Sequence, residues 1–303
     1  MRSLARFRSL PQACAVAAVA LCAAVALSLC AAAPAHADQD YYRTIGGAKY
    51  KISADYNDDR DDGPLGWHLE AEYRGPVKKT KSTYTIPKSV KFYFKGKTRT
   101  VRVTEIADRA FYNNKKVKRV VCKASIKDIG DKAFYGCKKL RSFESKAAIA
   151  SIGDRAFEGC VNLKTFKSKN YRIHEVGFKA FYNCKKLTSF PKLTAIEYGE
   201  DDADDYKCEI ESKAFYNCKS LKSVTVKLKD YRLHVGTAAF ENCKALSKVK
   251  IEGTWGDVSI DARAFKNCAK LTTITNLTKL DYLHANRTAF VGTPLDGKVK
   301  NLY

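Results

Sequence analysis

The chain has 303 residues, 45% of them hydrophobic, which excludes a chain too short to bury a sizeable core and suits one large or two ordinary domains. It carries 55 Lys and Arg against 32 Asp and Glu, a formal net charge of +23, so its natural partners are anionic. No G-x-S-x-G, H-E-x-x-H or phosphate-binding Gly loop occurs, and the sequence offers no catalytic residues.

Arg2, Arg6 and Arg8 form a positive start, residues 13–33 are apolar and Ala-rich, and Ala35-His36-Ala37 is an A-x-A cleavage site before polar Asp38. This pattern predicts a secretory signal peptide over residues 1–37, cleaved after Ala37. A membrane anchor is the competing reading, because the apolar run approaches spanning length. A lipoprotein reading would use Leu27-Ser28-Leu29-Cys30, where a bulky Leu stands in place of a small residue. Cleavage removes three Arg and no acid, leaving +20, and removes Cys14, Cys22 and Cys30 of the eleven cysteines. No later segment is apolar enough to span a membrane, so a product released or held at the cell surface is expected.

Residues 38–82 read as a small N-terminal β cap, with "WHLEAEY", Trp67 to Tyr73, as one strand. From residue 83 to 303 the chain is a repeat array. Ala-Phe pairs end at Phe111, Phe134, Phe157, Phe181, Phe215, Phe240, Phe265 and Phe290, with spacings of 23, 23, 24, 34, 25, 25 and 25. A period in the twenties signals a solenoid. Three residues after Phe comes Cys in six units, from Cys137 to Cys268; six after comes Leu or Val; nine after comes Phe, Val or Ile. The three-residue spacing of Phe, Cys and Leu predicts one short helical turn, N-capped by Asp131 and Asp154. The alternation after that turn, as in "LKSVTV" from Leu221 to Val226, predicts a half-buried strand.

The unit I-G-D-x-A-F-x-x-C-x-x-L-x-x-[VFI] resembles the BspA-type leucine-rich repeat of bacterial surface and secreted proteins. "YTIPKSVKFYFKGKTRTVRVTEIADRAF", from Tyr84 to Phe111, resembles that family's entry segment, and "FVGTPLDGKVKNLY", from Phe290 to Tyr303, its usual ending. Asn114 and Thr293 replace Cys in the first and last units, and an extra stretch separates Phe181 from Phe215. The resemblance implies an α/β repeat fold, a right-handed leucine-rich-repeat solenoid of about eight units, and a secreted or cell-surface adhesion or protein–protein interaction module. The alternative is a structural protein held on anionic wall polymers by its charge.

The repeated cysteines admit three roles. Zinc needs converging ligands, usually paired two to four residues apart, and no such pair exists. Equivalent side chains in a parallel stack stay near the strand spacing of about 4.8 Å, longer than disulfide geometry wants. Buried, reduced packing units remain, and Cys122 and Cys208 also fall at inward positions. No metal or cofactor is expected.

Three surface features stand out. Strand positions facing outward are Ser142, Glu144, Thr165, Lys167, Ser189, Ser223, Thr225, Lys248, Lys250, Thr273 and Thr275, a candidate binding face. A candidate basic ridge joins residues two before each Phe (Arg109, Lys132, Arg155, Lys179, Lys213 and Arg263) to those after Cys (Lys138, Lys139, Lys185 and Lys186). Such a ridge suits an extracellular protein or an acidic polymer (a host matrix protein, a wall polymer or a sulfated glycan), not specific nucleic acid. His174, His234 and His284 read as solvated edge residues. The acidic runs "DYNDDRDDG", from Asp55, and "EDDADD", from Glu200, read as solvated loops, the first lacking the Gly and Glu of a calcium loop.

Overall fold

The computed structural model describes residues 39–57, 66–169, 173–194, 207–228, 232–253, 256–276 and 282–299; the expected signal peptide and the "EDDADD" run lie outside them. The chain falls into two units, residues 40–53 with 69–303 and residues 1–39 with 54–68. In the smaller unit the rings of Tyr56 and Trp67 meet edge to face at 5.2 Å. The larger unit holds all the repeats.

Each rung contributes one strand before its Phe and, in all but the last, one after it. The strands before are β6 (Lys97–Ile106), β8 (Ile126–Ile129), β10 (Ile149–Ile152), β12 (Glu175–Val176), β14 (Lys207–Ile210), β16 (Arg232–Val235), β18 (Asp257–Ile260) and β20 (Tyr282–Ala285). They pair in that order in one long sheet, in parallel register. At the N-terminal end β3 (Gly66–Pro76), β2 (Ala48–Asn57) and β1 (Gln39–Ile45) extend it, and β5 (Ser89–Phe94) pairs antiparallel with β6. The strands after Phe, joined at the N-terminal end by β4, make two short parallel sheets. One runs β4 (Thr83–Ile86), β7 (Arg119–Cys122), β9 (Ser142–Ser145) and β11 (Thr165–Lys167); the other runs β13 (Leu193–Thr194), β15 (Ser223–Lys227), β17 (Lys248–Glu252) and β19 (Thr273–Thr275).

The segment between the two strands is not helical; among the described residues there is no helix at all. The residue two after each Phe has positive φ: Asn113, Gly136, Gly159, Asn183, Asn217, Asn242, Asn267 and Gly292. So does the residue two before it: Arg109, Lys132, Arg155, Lys179, Lys213, Ala238 and Arg263, at φ of 53–60°. Two left-handed residues four apart break any right-handed helix. Alternate N–H groups also point elsewhere. Phe134 N donates to Ala156 O at 2.7 Å, Lys132 N to Asp154 O and Gly136 N to Glu158 O at 2.8 Å, all in the next rung. Only the intervening residues close turns on themselves, as Cys137 N does to Phe134 O. The turn is therefore a third ladder between rungs. Asp131 and Asp154 are not helix caps either. Asp131 Oδ1 accepts from Asp154 N, and Asp154 Oδ1 from Phe178 N, each one rung ahead at 2.8 Å. At Gly153 a Cβ would lie 2.6 Å from Asp131 Oδ1, so the close approach excludes a side chain.

The eight Phe rings form one column. Consecutive centroids lie 4.8–5.6 Å apart with planes within 11°. Phe143, Phe166 and Phe190 make a second column and meet the first edge-on. Six of the eight rungs carry the buried Cys, giving about six complete turns of roughly 25 residues. The first and last are terminal versions: Asn114 Oδ1 accepts from Lys116 N and Val117 N, and Thr293 Oγ1 donates to Phe290 O. Tyr73 and Tyr84 cover the exposed side of Phe111, at 5.8 Å stacked and 5.3 Å edge-on.

Because Phe157 is fully buried with rings on both faces and at its edge, Phe157→Ala should cost about 3–5 kcal/mol in urea unfolding. An effect below about 1 kcal/mol would show that the ring column does not carry the stack.

Candidate functional site

A reactive cysteine would give the surface a chemistry of its own. All eight cysteines of the described residues are free and buried. In six, Sγ donates to the carbonyl of the preceding rung's Phe: Cys137 to Phe111 at 3.0 Å, Cys160 to Phe134 at 3.1 Å, Cys184 to Phe157 and Cys218 to Phe181 at 3.2 Å, and Cys243 to Phe215 and Cys268 to Phe240 at 3.1 Å. That oxygen already accepts an N–H from its own rung, so the thiol occupies its second lone pair. Burial pushes Cys122, Cys137 and Cys208 up to about 12, and Cys160, Cys184 and Cys243 well above their ordinary value. These are packing and hydrogen-bonding groups, not nucleophiles.

Register places the outward strand residues in columns. Arg119, Ser142 and Thr165 align across β7, β9 and β11, with Glu144 beside Lys167. Ser223, Lys248 and Thr273 align across β15, β17 and β19, and Thr225, Lys250 and Thr275 form the parallel column. Glu144 is held by Lys146 at 2.6 Å and Arg119 at 3.2 Å; these cations keep its carboxyl below the usual range. Glu252 pairs with Lys192 and Lys250, which lower it to about 2. Ser189 reaches the first of these sheets through a single bridge to Thr165.

The basic ridge divides in two. Several residues two before Phe are engaged locally, Arg109, Lys179 and Arg155 by their own turn and Arg263 by the preceding one. Arg109 sits over the Tyr112 ring at 5.8 Å and Lys179 over Tyr182 at 5.5 Å, Arg155 meets Glu158 at 3.6 Å, and Arg263 meets Glu241 at 4.0 Å. Arg155, Lys179 and Lys213 are only partly exposed. Lys138, Lys139, Lys185 and Lys186 follow the turn and are all exposed; Lys186 donates to Asn162 Oδ1 at 2.8 Å, and among the described residues none of the four is paired with a carboxylate. Directly beyond them runs a column that the count from each Phe to its Cys does not reach: Lys118, Arg141 and Lys164, then neutral Thr188, then Lys222, seven residues after Phe and joined by backbone bonds such as Arg141 N to Lys118 O and Lys164 N to Arg141 O. Counting further along each repeat would find it.

The acids gather elsewhere. On the long sheet's outward face Glu72, Glu105, Asp128, Ser151, Glu175, Glu209, His234, Ser259 and His284 align in register. Burial and then Asp128, Glu72 and Glu70 raise Glu105 above the ordinary carboxylate range. His234 lies 3.3 Å from both Glu209 and Asp261, and Ser259 separates it from His284 in the column. His174 is not solvated: it lies one position before this column, beside Cys208, and is 4% exposed. Among the described residues no group of three or more His, Cys, Asp or Glu could hold a metal ion.

The described residues thus contain a Phe, Cys and Leu ladder that runs through six consecutive rungs, and a known family carries the same unit. The BspA type Leucine rich repeat region, of six copies, matches residues 102–203 and 205–296. The chain belongs to the BspA-type leucine-rich repeat family. No curated protein matches it. Among solved structures it is similar to a leucine rich cell surface protein of Faecalibacterium prausnitzii, at 18% identity over 85% of this chain and 73% of that one, with a TM-score of 0.49. It is similar to the Treponema (T.) pallidum leucine rich repeat protein at 24% identity, over 72% and 86%, with a TM-score of 0.48. The pneumococcal vaccine antigen PcpA is 18% identical over 83% and 73%, with a TM-score of 0.38. At these scores the structures add no argument to the family match.

Two outcomes test the thiols. The native protein should leave a thiol reagent unreacted, while the denatured protein without residues 1–37 should give eight equivalents; fewer than six would refute the assignment. Folded-state values lie above those of the unfolded chain, so the thiols' contribution is whole below about pH 8.5 and is lost as pH rises toward the folded values. Urea stability should therefore fall above about pH 9, and fall less steeply when Cys160 and Cys184 are both Ala.

Proposed function

We propose that this BspA-type protein is a secreted or cell-surface binding protein, an adhesion or interaction module, and that the lysine corner after each turn supplies its main attraction to an acidic extracellular protein or polymer. The carrying observation is the separation of charge by position in the rung. Lys118, Arg141 and Lys164 stand on three consecutive rungs after the turn with Lys222 two rungs beyond, and Lys138-Lys139 and Lys185-Lys186 lie two rungs apart, while the column of carboxylates through Glu72, Glu105, Asp128, Glu175 and Glu209 lies before the turn. Like charges one or two rungs apart meet a linear polyanion at many points at once, and each contact alone would be weak. The outward columns through Ser142, Thr165, Lys248 and Thr273 adjoin this corner and offer short polar groups for specific contacts. The expected leader supports placement outside the cell.

A second reading, retention on anionic wall polymers by charge alone, is favoured by the net +20 that would remain without the leader. Salt separates the two. Binding of the leaderless protein to immobilised matrix proteins, a sulfated glycan and wall polymer is measured at about 0.05 and 0.15 M salt. Charge retention predicts binding that disappears at the higher salt. Recognition predicts binding that persists and is lost when Thr165, Lys248 and Thr273 are replaced. Under either reading the variant K138E/K139E/K185E/K186E should weaken binding at least about tenfold, roughly 1.4 kcal/mol. If no partner binds even at about 0.05 M salt, both readings fall.

A further inference from the structure

At the N-terminal end the two kinds of sheet stop differently. The long sheet continues past β6 into β3, β2 and β1, but the short sheet ends at β4, so one of the two ladders is left with an open edge among the described residues. Ser82 O accepts from Arg119 N, and Ile86 O from Lys123 N, so the even-numbered residues of this stretch face β7. In a parallel ladder alternate residues face opposite neighbours, and Thr83 and Thr85 therefore direct their N–H and C=O groups away from β7. An open cleft of about 560 Å³ lies there, within the usual range for ligand clefts. Its far wall is the tight turn at Gly46 and Gly47, where nothing lies within 4 Å of either Cβ position. Lys78 and Lys81 line it, and no carboxylate does.

Apolar filling is not what this cleft needs. Tyr73 and Tyr84 already close the Phe column beneath it. The Tyr84 hydroxyl donates to Lys78 O and accepts from Lys81 N, both at 3.1 Å, which pins the loop that carries the two lysines beside the edge. What is left uncovered is backbone hydrogen-bonding capacity in a positive setting. An edge strand in this state is a template for another extended chain.

We propose that the free edge of β4 is a strand-addition site that takes an extended, acidic peptide segment of a partner protein. The segment would pair its backbone with Thr83 and Thr85 while its carboxylates meet Lys78 and Lys81, main chain giving affinity and charge giving selectivity. This site shares no residue with the lysine corner and stands or falls separately from it.

The probe is a fluorescein-labelled peptide of about ten residues alternating Glu and Val, with a Lys–Val peptide as control, followed by anisotropy. The acidic peptide should bind wild-type protein and the basic one should not. Thr85→Pro removes an edge N–H that makes no bond to β7, and should weaken binding at least about tenfold with the melting temperature unchanged. The variant K78E/K81E should weaken it similarly, and K138E/K139E/K185E/K186E should leave it within about twofold. No binding to wild type, or equal binding by a folded Thr85→Pro variant, overturns the proposal. Should that variant unfold, the acidic peptide N-methylated at alternate residues decides: loss of binding supports strand addition, and unchanged binding overturns it.

Discussion

Alternate backbone N–H groups of each turn donate forward to the next rung rather than back along their own, and most of the structure depends on this. With strands paired before the turn along the whole array and after it within the two short sheets, most rungs are tied to their neighbours at three places. The rung spacing is thereby fixed near the distance at which aromatic rings stack, and the Phe column takes that spacing. The same spacing brings each thiol to the preceding Phe carbonyl and leaves no room for a side chain at Gly153. A side chain's surroundings become almost entirely its counterparts one rung before and one after.

Much of this is legible in residue identities, because burial selects them. Phe, Cys and Leu recur where no water reaches. Three-residue spacing does not single out a helical turn, because consecutive tight turns produce it too. Asn or Gly two after each Phe marks a left-handed residue, since those types tolerate it. Lys or Arg two before Phe gives no such mark; its backbone is held left-handed by the ladder against its own preference, and only coordinates reveal that. Asp131 has the sequence signature of a cap because caps and cross-rung acceptors use the same short carboxylate.

Surface columns are legible as period, less so as chemistry. Charges at one repeat position must align, and the strand-face residues do. Whether a charge is then used within the rung depends on what lies three residues away: Arg109 meets Tyr112, Arg155 meets Glu158, while Lys138 and Lys139 stand clear. His174 is placed correctly by its alignment next to Cys208, an inward position, and misplaced by its polarity.

The rung after the extra stretch shows how little the stack asks of the chain between its contacts. Phe181 and Phe215 are separated by 34 residues, yet their rings lie 5.2 Å apart and 3° from parallel, against 5.1 Å and 4° for Phe157 and Phe181, which are 24 apart. Lengthening a connection raises its closure entropy only logarithmically, by about 0.6 kcal/mol per doubling. Insertions at that connection are thus nearly invisible to folding, and it is a place where this scaffold can accept foreign sequence, whether by evolution or by grafting, without renegotiating its core.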